Sequence, residues 1–68
     1  MTQQPADRIR TLLLRADNVL KNEGDAQARK DRARKALEEA REVARDPAVD
    51  VRLRSLIDRR LDGLDELG

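Results

Sequence analysis

The sequence predicts an all-α protein: a three-helix antiparallel bundle with helices at about 5–22, 26–45 and 47–66 and a small-residue middle helix. Three observations lead there. Apolar residues recur every three or four positions in three successive segments, and nowhere do they alternate with period two. The segments are separated by Gly24-Asp25 and by Asp46-Pro47, pairs that stop one helix and start the next. Charged residues make up 43% of the chain, yet the net charge is only +1, with the signs interleaved among periodic aliphatics. A disordered polyelectrolyte has a large net charge and few aliphatics, so this pattern favours folded helices.

Residues 1–4 are polar and are expected to form a disordered N-terminus ahead of a single three-helix domain over 5–67. Pro5 suits the first turn of a helix, and Asp7 follows where negative charge meets the helix N-terminus favourably. The apolar positions of this first helix are Ile9, Leu12, Leu13, Ala16, Val19 and Leu20, all on one face, and Gly24 supplies its C-terminal stop.

The second helix is the longest run free of Gly and Pro, with Asp25 as its expected cap. Its stripe is Ala33, Ala36, Leu37, Ala40, Val43 and Ala44, small enough for close approach on both sides, which makes it the middle slab. Its exposed side offers opposite charges four residues apart: Asp31 with Lys35, Arg34 with Glu38, Lys35 with Glu39. Asp46 is then expected to cap a third helix with Pro47 in its first turn. That helix carries Val49, Leu53, Leu56, Ile57, Leu64 and Leu67, with Leu61 at the edge, and Gly63 is a place where it ends early or frays. Both connections are short, so consecutive helices are antiparallel neighbours.

The composition argues against chemistry. There is no His, Cys, Phe, Trp or Tyr. That removes the usual transition-metal ligands and any disulfide or thiolate. Thr2, Thr11 and Ser55 are the only hydroxyls, and none has a base at a recognisable spacing. Gly24, Gly63 and Gly68 are isolated, so no phosphate-cradling loop is present. No catalytic residue, cofactor, metal or small-molecule substrate is therefore expected. No long apolar run marks a signal peptide or a membrane span, so a cytoplasmic protein is expected. The chain begins at Met1 and reads as complete.

Two groups of residues stand out as candidate surfaces. Lys30, Arg34, Arg41 and Arg45 line one flank of the second helix, where they meet either phosphates or, with Glu38 and Glu42 close by, only solvent and neighbouring carboxylates. Leu14 and Val51 point away from their helices' apolar faces. Together with Leu61 they would form a self-association patch; separately they are ordinary exposed aliphatics. Arg60 falls within the third helix's apolar stripe, and Arg29 lies on the upstream extension of the second helix's stripe. Each either snorkels, with its stem on the core, or has a carboxylate partner across the bundle or on a second chain.

Leu13, Ala16, Leu20 and Gly24, then Ala33, Leu37 and Ala40, with Pro47 closing the pattern, resemble a single tetratricopeptide repeat followed by its capping helix. The departures are Asp17 at a usually small position, Leu20 at a usually aromatic one, and added residues before Ala33 and before Pro47. Three-helix domains of the MIT type look similar. The resemblance implies a helical hairpin that binds other proteins, and a single repeat does not bury its own face well, which points to a partner or a second copy. It assigns no peptide-binding residue.

The function expected from these readings is a non-enzymatic protein–protein interaction or small scaffold module. It would associate with itself or with a protein partner through Leu14, Val51, Arg60 and Leu61. The alternatives are a small nucleic-acid-associated protein using the basic flank, and an accessory subunit of a larger enzyme.

Overall fold

The computed structural model describes residues 4–21 and 24–66. Three helices account for most of them: α1 (Pro5–Lys21), α2 (Ala26–Val43) and α3 (Val51–Glu66). Asn22, expected at the end of the first helix, and Leu67, expected on the third helix's apolar stripe, lie outside the described residues, as does most of the expected N-terminal tail. Gln4 holds the first turn of α1, its carbonyl accepting the Arg8 N–H at 3.0 Å. Gly24 has φ +136°, a backbone angle that side chains rarely adopt, and it reverses the chain between α1 and α2.

Asp25 caps α2 as expected: its Oδ1 accepts the Gln27 N–H at 3.0 Å, and its carbonyl accepts the Arg29 N–H at 3.0 Å. The other end of α2 departs from expectation by two residues. After Val43 the hydrogen bonds tighten from four-residue to three-residue spacing, Arg45 N–H to the Glu42 carbonyl and Asp46 N–H to the Val43 carbonyl, each 3.2 Å. Three-residue closure of this kind ends an α-helix.

The third helix starts at Val51 and not at Pro47. Asp46 and Pro47 form a turn instead. The Asp46 side chain accepts the Ala48 N–H at 2.9 Å, and its carbonyl accepts the Val49 N–H at 2.9 Å. Proline is equally at home as the second residue of such a turn and in the first turn of a helix. The turn drops Val49 into the core, and Asp50 then becomes the cap, its Oδ1 accepting the Arg52 N–H at 2.9 Å. Gly63 does not stop α3, which continues to Glu66.

The helices run up, down and up. Arg8 near the start of α1 meets Glu39 near the end of α2 at 2.6 Å, and Arg29 near the start of α2 donates to the Leu20 carbonyl near the end of α1 at 3.3 Å. Arg34 with Asp65 at 2.6 Å and Arg41 with Asp58 at 3.7 Å set α2 and α3 antiparallel in the same way. α2 packs on both neighbours, far more on α1 than on α3, while α1 and α3 touch each other least. Its alanines make this possible: Ala33 and Ala40 are 0% exposed, and Ala36 and Ala44 are buried beside them. Ile9, Leu12 and Leu13 from α1, Leu37 from α2, and Ile57 and Leu64 from α3 fill the remaining core volume. The core holds no buried polar or charged residue among those described.

Candidate interaction surface

The site is built on the outer faces of α1 and α3, which pack mainly on α2 and touch each other least. Leu14 is 61% exposed and Val51 66% exposed. Both lie off the apolar stripe of their helix, and nothing inside the bundle covers them. Leu14 lines a shallow groove with Thr11, Arg15, Asn18 and Val19. Val51 lines a separate groove with Arg52, Ser55, Leu56 and Arg59. The two aliphatics therefore belong to different surfaces. Leu61 joins neither, because it is half-buried against the core.

Arg60 reaches across the bundle to Asp17 on α1, 43 residues away in sequence. Both side chains remain partly exposed, 41% for Arg60 and 34% for Asp17, so this is a surface clasp between the two outer helices. Its guanidinium is engaged within the chain by the Asp17 carboxylate. Arg29 caps the last turn of α1 through its hydrogen bond to Leu20.

The basic flank is largely occupied. Arg34 pairs with Asp65, Arg41 with Asp58, and Arg45 with Glu42 at 3.5 Å. Lys30 is half-buried. The within-helix pairs expected for Arg34 and for Glu39 give way to cross-helix ones, since Arg34 faces α3 and Glu39 faces α1.

Sequence reading missed four arginines. Arg54 donates through Nε to the Ala44 carbonyl at 2.7 Å and through Nη2 to the Asp46 carbonyl at 3.0 Å, tying α3 to the end of α2. A cation there complements the carbonyls at the end of α2 and in the turn that follows it. Arg15, Arg52 and Arg59 take part in no ion pair among the described residues. Each stands in a groove with an exposed aliphatic, Arg15 beside Leu14, and Arg52 and Arg59 beside Val51. The only signal in the sequence was the placement of Arg52 and Arg59 seven residues apart around Leu56.

The recess between the end of α2 and α3 is lined by Arg41, Ala44, Arg45, Arg54, Ile57 and Asp58. Its charged groups already hold one another or the backbone, apart from Arg45, which is held by Glu42 just outside it. The described residues contain no group of three or more metal-binding side chains. No helix is long and apolar enough to cross a membrane. Compared with protein-family models, curated proteins and solved structures, the chain matches none.

Proposed function

We propose that the chain is a non-enzymatic protein–protein interaction module, a small helical scaffold whose outer faces dock on other helices. The observation that carries this reading is the pairing of exposed aliphatics with arginines that have no carboxylate of their own. Leu14 lies beside Arg15, and Val51 beside Arg52 and Arg59, while the arginines directed at neighbouring helices are engaged. Apolar contact combined with arginine is the composition enriched at protein interfaces. The occupied state of Arg34, Arg41 and Arg45 favours a solvated, ion-paired flank over a phosphate-binding one. The likeness to a tetratricopeptide-type hairpin and a cytoplasmic setting both belong to this proposal. The accessory-subunit role is one form of it, with the partner being the enzyme.

The test is site-specific photo-crosslinking in the native cell. A photoreactive residue replaces Leu14, Val51 or, as a control, the exposed Asp31. The reading predicts discrete adducts from Leu14 or Val51 and none from Asp31. Absence of adducts from both aliphatic positions refutes it.

A further inference from the structure

On α3, residues 52, 56, 59, 63 and 66 are spaced alternately by four and three, the spacing that keeps side chains on one seam of a helix. The seam reads Arg52, Leu56, Arg59, Gly63, Glu66, flanked by Ser55 and Asp62. All of these are exposed except Leu56 and Gly63, which are half-buried. None of Arg52, Arg59, Asp62 and Glu66 takes part in an ion pair among the described residues. The seam is thus basic toward its N-terminal end and acidic toward its C-terminal end. Gly63 is a second unexplained feature. It is helical, it costs the helix about 1 kcal/mol relative to alanine, and a Cβ there would meet nothing within 4 Å. No packing inside the chain calls for glycine at this position.

A surface that is basic at one end and acidic at the other complements its own reverse. We propose that α3 pairs antiparallel with α3 of a second copy of this chain, about a twofold axis crossing the helix between Arg59 and Arg60. In that register Leu56 of each copy meets Gly63 of the other, and the missing Cβ forms the notch that receives the leucine. At about 1.5 Å of rise per residue, Arg52 comes level with Glu66 of the second copy to within about 1.5 Å, and Arg59 with Asp62 to within about 3 Å. The twofold repeats each contact, as a closed isologous interface requires. Arg59 and its twin stand together near the axis, and Asp62 from each copy offsets that repulsion. A single helix face is smaller than the roughly 800 Å² per partner of a standard interface, so the dimer is weak, with Kd on the order of 100 µM.

This inference rests on the interaction-module reading but can fail alone. The experiment is sedimentation equilibrium of the full chain from about 10 µM to about 1 mM in low salt. Wild type is expected to pass from monomer to dimer. Arg52→Glu and Glu66→Arg are each expected to weaken the dimer at least about fivefold, and the double variant to restore it. Gly63→Gln, which has room in the monomer, is expected to abolish the dimer while leaving the fold intact by circular dichroism. A wild type that stays monomeric throughout overturns the α3 pairing, as does a dimer indifferent to both Gly63→Gln and the charge reversals. Neither result touches the crosslinking test, whose failure alone removes the module reading.

Discussion

Ala40→Leu is the substitution that loads the fold most directly. Ala40 is 0% exposed and lies in the α2 stripe that packs on both neighbouring helices. Leucine adds three heavy atoms where no space is open, so either side chains leave their rotamers or a helix moves outward. Overpacking of this kind costs about 1–3 kcal/mol. A core in a chain this short supplies only about 3–5 kcal/mol of net stability, so the loss is a large part of the total. For a domain of this size each kcal/mol moves the midpoint by about 4–8 °C, and Tm should fall by about 5–20 °C. The assay is thermal and urea unfolding by far-ultraviolet circular dichroism, with Arg32→Leu on the exposed side of α2 as the control. The control should stay within about 0.5 kcal/mol of wild type. If Ala40→Leu is as stable as the control, α2 is not in close contact with its neighbours and the packing argument fails.

Asp50→Ala should cost about 1 kcal/mol and speed amide exchange at Arg52 to Arg54, whereas Asp46→Ala should leave those amides alone; the opposite pattern would put the start of α3 at Pro47. Arg54→Ala removes two hydrogen bonds from a charged donor to backbone carbonyls and should cost about 1.5–3 kcal/mol in urea unfolding, with a loss under about 0.5 kcal/mol counting against the tie between α2 and α3. A double-mutant cycle on Asp17 and Arg60 should return a coupling below about 1 kcal/mol that shrinks in high salt, because both groups are partly exposed. Random-sequence DNA in low salt should show no gel shift with the wild-type chain; a shift abolished by Lys30→Ala would restore the basic flank as a binding site.

Which features could be read in advance follows from how local their causes are. Periodicity and capping chemistry are local, so the three helices, the central position of α2 and the Asp25 cap could be read directly from the residues. The start of α3 could not, because Pro47 satisfies the rule for a turn and the rule for a helix equally. The choice depends on Val49 reaching the core, which only the packed chain decides. The early end of α2 has a similar origin, since Arg54 takes up the Ala44 and Asp46 carbonyls from the next helix. At the surface, Leu14 and Val51 were recognisable by falling off the stripe. The partner of Arg60 was hidden because Asp17 is 43 residues away. The significance of Arg52 and Arg59 emerged only when the cross-helix arginines had found carboxylates or backbone carbonyls and these two stood outside every ion pair among the described residues.

Methyl NMR on a chain labelled at alanine, isoleucine and leucine tests the central claim most directly, at a concentration low enough for the monomer. The alanine-lined helix packed between two others predicts cross-peaks from the Ala33 and Ala40 methyls to methyls of both α1 and α3 within one molecule. Alanine methyls that contact only one neighbour, or that find the other only in isotope-filtered spectra between molecules, would contradict it.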